Sequence, residues 1–198
     1  HIGSLLYFGF SIYILVTKIL YSLKKNEIDH LYYFNLLALI FIIVFFYRLA
    51  EHGTDRSALI LLFIIVSEIL RIFNKLKVNN YDISILSILF ALTISLKAFY
   101  FLYILILLPL IFFIYVKLNI KNIIKIFVKN KIVYFSIFLL FLVLFNNFLN
   151  TGCLIYPLEI SCFTNFEWSI QKNEIINMAL HYENWSKAGM TPNFRVSN

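Results

Sequence analysis

Six apolar runs, over residues 2–23, 31–49, 58–73, 83–96, 98–116 and 132–149, fill most of this 198-residue chain and constrain its fold more than any motif does. At about 1.5 Å rise per residue, the longer runs match a hydrocarbon core of roughly 30 Å. The third and fourth are shorter. Charged residues make up 14% of the chain against 62% hydrophobic ones, and mean hydropathy is +0.86. A soluble domain carries about 25% charge. The balance excludes a soluble enzyme, a nucleic-acid binder, a disordered tail and a disulfide-stapled mini-domain. It predicts an all-α fold, a polytopic transmembrane bundle of about six spans.

The net charge of +7 is read through topology, because Lys and Arg mark the cytoplasmic side of a membrane protein. With Lys24 and Lys25 placed in the cytoplasm, six full crossings put Lys75 and Lys77 there too, followed by Lys117, Lys121, Lys125, Lys129 and Lys131. Glu51 to Arg56, Lys97 and the whole tail then fall outside. A re-entrant fourth run would carry the five-lysine loop outside, against the rule. Lys117, Lys121, Lys125 and Lys129 recur every four residues, with Ile120, Ile123, Ile124 and Phe127 opposite. That spacing predicts an interfacial segment facing anionic head groups.

The expected division is a transmembrane region over 1–150 and an extracytoplasmic segment over 151–198 that holds both cysteines and both tryptophans. Residues 173–187 read as an amphipathic helix with Ile175, Met178, Ala179, Tyr182 and Trp185 on one face, stopped by Gly189. Cys153 and Cys162 fall on the oxidising side, where a pair most simply forms a disulfide. Opening at His1-Ile2-Gly3 without Met and stopping at Asn198 in a polar segment, the chain reads as an internal piece of a longer protein.

Three groups of residues are candidates for chemistry. Glu51, His52, Asp55 and Arg56 crowd one short external loop. Asp55 or Glu51 is suited to act as base or metal ligand, and Arg56 to hold a phosphate. The same loop also reads as a solvated turn in which Asp55 caps the helix starting near Ala58. Lys97, at the mouth of the bundle, suits either a phosphate or a snorkelling anchor. Glu68, inside the third run, has Arg71 one turn on, and an i,i+3 structural pair is the favoured reading over a proton relay. In the tail, Trp168 and Trp185 beside carboxylates suit a sugar-binding cleft or an interfacial belt.

Thr151-Gly152-Cys153-Leu154-Ile155-Tyr156-Pro157 directly after an apolar run, then Phe166-Glu167-Trp168, then Trp185-Ser186-Lys187-Ala188-Gly189, resembles a family of polytopic bacterial proteins related to the GT-C type membrane glycosyltransferases. The resemblance implies an inner-membrane enzyme of surface-polysaccharide synthesis. Such an enzyme moves a sugar from a polyprenyl-phosphate donor to an extracytoplasmic acceptor. Catalytic Asp55 and Glu51 and substrate-binding Arg56, Lys97, His52, Trp168 and Trp185 are the residues this chain offers. The bilayer and the lipid donor are the expected partners, and nucleic acid is not. No cofactor follows from the residues, a divalent metal being the one candidate. A polysaccharide polymerase or ligase, and a transporter or flippase of lipid-linked or anionic solutes, are the rival readings.

Overall fold

The computed structural model describes residues 2–45, 55–75, 78–96, 98–117 and 128–188. Its elements are α1 (Ile2–Lys25), α2 (His30–Phe45), α3 (Asp55–Phe73), α4 (Asn80–Leu96), a 3-10 helix (Ala98–Leu107), α5 (Leu108–Lys117), α6 (Lys131–Thr151), a short 3-10 turn (Glu159–Ser161) and α7 (Lys172–Ala188). The described residues contain no named strand, only an isolated bridge between Cys153 and Cys162. The fold is all-helical. Two described helices, over Leu5–Lys25 and Lys131–Thr151, are long and apolar enough to cross a membrane.

The chain divides into two compact units, His1–Leu140 and Phe141–Asn198. In the first, α3 is the central helix and packs on α1, α2 and α4. Its Ile60, Leu61, Ile64, Ile65, Ile69 and Ile72 are buried with Leu15, Ile42, Leu86 and Phe90. The outer face of α1 leaves Leu6, Phe10 and Tyr13 exposed. An apolar surface of that extent is what a lipid-facing helix presents.

Local chemistry sets the helix ends. Asn26 has φ 55°, the left-handed conformation that Asn tolerates, and closes α1. The N–H of Asn26 donates to Leu23 O and that of Glu27 to Ser22 O, the paired bonds of a Schellman motif. Asp29 then caps α2 by accepting from Tyr32 N–H at 3.0 Å. At the start of α4, Asp82 Oδ2 accepts from Asn79 N–H at 3.0 Å, the reciprocal half of a capping box.

The run over 98–116 forms one helix by periodicity but two by structure. Pro109 lacks an N–H and its ring opposes the carbonyl of residue 105, which disfavours a continuous α-helix but suits the first turn of a new one. The ten residues of the 3-10 helix precede it, and α5 starts at Leu108. Asn130 caps α6 through Ile132 N–H at 3.0 Å, and its Nδ2 reaches Ser84 Oγ of α4 at 2.7 Å. Most of the expected interfacial segment, residues 118–127, lies outside the described residues.

In the second unit, α6 ends at Gly152, which has φ +78° and donates its N–H to Phe148 O at 2.8 Å. A Cβ there would sit 2.5 Å from Ser169 Cβ, so only glycine fits both the backbone and the space. The following loop is joined by the Cys153–Cys162 disulfide, with S–S 2.05 Å. Backbone bonds from Leu154 N–H to Ser161 O and Phe163 N–H to Gly152 O brace it. The amphipathic segment is helical over Lys172–Ala188, and among its described side chains Ile175 is the buried one. Met178 and Tyr182, expected on the same face, are exposed at 39% and 45%.

Candidate functional site

The loop that concentrates polar residues in the sequence is only partly placed. Glu51, His52 and Lys97 lie outside the described residues, so no grouping with Asp55 or Arg56 is available for them. Asp55 is the first residue of α3, three positions before the helix start expected near Ala58. Arg56 follows it, half-buried and engaged by a neighbouring group.

Of the two tryptophans, Trp185 lies on α7 and its side chain is outside the description. Trp168 belongs to an aromatic cluster. It stacks on Phe166 with centroids 5.3 Å apart and planes 13° from parallel. Phe148, on the last turns of α6, meets Trp168, Phe166 and Phe163 edge-on at 5.3, 5.7 and 5.8 Å. Phe148 thus anchors a platform whose other three rings, about half exposed, offer apolar faces to solvent. In the same unit, Lys172 and Glu159 pair at 2.9 Å. That hydrogen bond and the carboxylate charge raise the Lys172 pKa. Burial raises the Tyr156 pKa, helped by electrostatic repulsion from Tyr182 and Glu174.

The densest assembly of charge lies elsewhere, among α1, α3 and the start of α4. Glu68 Oε1 takes Lys18 Nζ at 2.6 Å, and Oε2 takes Arg71 Nη2 at 2.6 Å. Arg71 continues to Asp82 Oδ1 at 2.9 Å, where Lys75 Nζ also binds at 2.6 Å. The Glu68–Arg71 pair is the one its i,i+3 spacing suggests. Lys18, Lys75 and Asp82 are additions that no local spacing announces. Lys18 Nζ also donates to Ser67 Oγ at 2.7 Å, and Ser67 donates to Asn35 Oδ1 of α2 at 2.6 Å. One hydrogen-bonded chain therefore ties three helices. Glu68 and Asp82 are buried, at 8% and 0% side-chain exposure, and paired cations are what permit buried carboxylates.

Among the described residues, no three His, Cys, Asp or Glu side chains come together in a way that could hold a metal ion. The family model described as "Domain of unknown function (DUF8201)" matches residues 1–195. No curated protein and no solved structure matches the chain.

Proposed function

The chain belongs to the DUF8201 family, and from its own residues we propose that it is part of a polytopic membrane glycosyltransferase of the GT-C kind. In this reading the six apolar segments cross the cytoplasmic membrane and residues 151–198 lie outside it. The enzyme moves a sugar from a polyprenyl-phosphate donor to an extracytoplasmic acceptor. The observation that carries the reading is the platform of Phe148, Phe163, Phe166 and Trp168. It is built on the end of a 21-residue apolar helix and the segment after it, next to a disulfide-closed loop. Exposed aromatic faces beside a membrane suit the apolar faces of sugar rings and a lipid-linked donor.

The chemistry assigned to this chain is an inverting transfer. Asp55 or Glu51 takes the proton from the acceptor hydroxyl as its oxygen bonds to the anomeric carbon. The bond from that carbon to the lipid-phosphate oxygen breaks, and its electron pair leaves on the phosphate. Arg56 and Lys97 neutralise the departing charge, with His52 and Trp185 as further substrate contacts. The experiment is sugar-polymer production by the full-length protein in a host lacking its own copy. Asp55→Asn abolishes transfer with protein abundance kept, and Trp168→Ala impairs it. Normal polymer from both variants removes the reading. A correct topology also requires cysteines placed at Asn165, and not at Lys24, to react with an impermeant thiol reagent.

The Glu68–Lys18–Ser67–Asn35 chain favours a second reading, a transporter or flippase of lipid-linked or anionic solutes. Polar groups buried among apolar helices are what such a pathway needs. Solute flux into proteoliposomes with no acceptor present distinguishes it from the transferase.

A further inference from the structure

A pocket of about 570 Å³ opens among the last turns of α1, the first turns of α2 and the end of α3. Lys18, Lys25, Asn35, Arg71 and Lys75 line it, together with the acids Glu27 and Asp29. Asp55 opens α3 and Arg71 lies in its last turn, about 24 Å away at 1.5 Å per residue. The pocket is therefore separate from the loop to which transfer chemistry is assigned.

Two observations give the pocket a polarity. The first is the use of the carboxylates. Glu68 and Asp82 have all four oxygens engaged by Lys18, Arg71, Lys75 and the Asn79 N–H. Asp29 has both of its oxygens engaged, by Tyr32 N–H and by Asn74 Nδ2 at 2.9 Å, and Glu27, the remaining acid, lies at the exposed rim 3.9 Å from Lys25 Nζ, outside the Lys18, Arg71 and Lys75 cluster. The cations retain capacity, since an ammonium has three hydrogens and a guanidinium five. Lys18 directs two, to Ser67 and Glu68, and Lys75 directs one, to Asp82.

The second observation is Asn35. Its side chain is wholly buried, and its Nδ2 has no hydrogen-bond partner. The Ser67 hydroxyl accepts from Lys18, which can only donate, and gives its own hydrogen to Asn35 Oδ1. The amide's donor end is the one left over. A buried N–H₂ without an acceptor is unfavourable, and an incoming oxygen relieves it.

We propose that this pocket binds a phosphate group, gripped by Asn35 Nδ2, Lys18, Lys75 and the free edge of Arg71, with Lys25 at its rim. Donors on three helices converge, more than the two oxygens of a carboxylate can occupy and a match to the several oxygens of a phosphate. The volume admits a whole head group as well as a free ion. Lipid-borne and inorganic phosphate share this chemistry, so the experiment must part them.

The full chain is purified into nanodiscs of zwitterionic lipid, and its unfolding midpoint is followed with inorganic phosphate, with sodium chloride at matched ionic strength, and in discs containing phosphatidate. The expected result is a rise with phosphate, phosphatidate or both, and none with chloride. A rise with phosphate alone assigns the free ion, and a rise with phosphatidate alone assigns the lipid head group. Asn35→Asp keeps the acceptor for Ser67 but puts an anion where the donor was. It is expected to fold, as judged by helical circular dichroism, and to weaken binding at least about tenfold, the scale of one lost hydrogen bond to a charged group. Lys25→Gln, at the half-exposed rim, leaves folding intact and weakens binding less. Stabilisation by chloride equal to that by phosphate overturns the proposal. So does no response to either phosphate source, or full binding by both variants. Sugar transfer is not read in any arm, so a failure here leaves the transferase reading standing, and the reverse.

Discussion

The bundle within residues 1–140 and the unit over 141–198 hold their shapes by different means. The bundle buries a column of Ile and Leu along α3 and threads a chain of charge and hydrogen bonds through it. The second unit has few buried apolar side chains among its described residues, Cys153 and Ile175 being fully so. It relies on a covalent loop, a glycine-terminated helix and stacked rings. Packing within an apolar bundle tolerates charge only when every member is paired, so the network in the first unit is vulnerable to single losses. A small unit with little core depends instead on whatever limits its unfolded chain.

The largest expected effect comes from breaking the network at its centre. Glu68→Leu removes the carboxylate shared by Lys18 and Arg71 and leaves Lys18 with no opposing charge in the network. Removing one partner of a buried pair destabilises by about 3–5 kcal/mol. Adding Lys18→Met restores most of the loss, because apolar residues of similar volume replace the pair and Arg71 keeps Asp82. Denaturant titration of the purified protein, followed by helical circular dichroism, checks both variants. If the single variant matches wild type, the network is not what fixes the bundle.

The two units also differ in how far the sequence reveals them. The ends of α6 and α7 can be read from composition, because an apolar run and an amphipathic period are local signals. So can the Glu68–Arg71 pair, which lies within one turn. The reach of Lys18 to Glu68 and of Asn35 to Ser67 cannot be read that way. α2 is apolar nearly all round, so its sequence carries no phase to say which side faces α3. Asn35 looks like a stray polar residue until the rotation of α2 is known. The break before Pro109 was available in the sequence through the chemistry of proline, but hydropathy alone passes over it. The residues singled out at 51–56 and 97 rest on local charge, and apart from Asp55 and Arg56 they lie outside the described part.

The intermediate effect concerns the second unit. Both tryptophans, Trp168 and Trp185, lie within residues 141–198, so tryptophan fluorescence reports on that unit alone. Replacing Cys153 and Cys162 together by Ala opens a loop with a sequence separation of 9. The chain-entropy model gives about 2–3 kcal/mol for a loop of this size. The fluorescence transition therefore moves to lower denaturant while the main helical transition of the bundle holds. Equal shifts in both would show that the two units unfold as one and would break the comparison.

The smallest effect is a pH dependence confined to the second unit. Lys172 has its pKa raised by the hydrogen bond to Glu159 and by that carboxylate's charge. Tyr156 has its pKa raised by burial, then by Tyr182 and Glu174. In both cases the folded state holds its proton more tightly than the unfolded chain does. The stabilisation is therefore fully present below the unfolded values, about 10 for Tyr and about 10.4 for Lys, and is lost as pH rises through the folded ones. Fluorescence-detected stability should accordingly fall on going into alkali, before any change traceable to carboxylates, which are already ionised. Tyr156→Phe removes the phenol and flattens part of that fall. Lys172→Gln contributes less, because its ion pair is solvent-exposed and screened. A fall that persists unchanged in the double variant would place the titrating groups outside this unit.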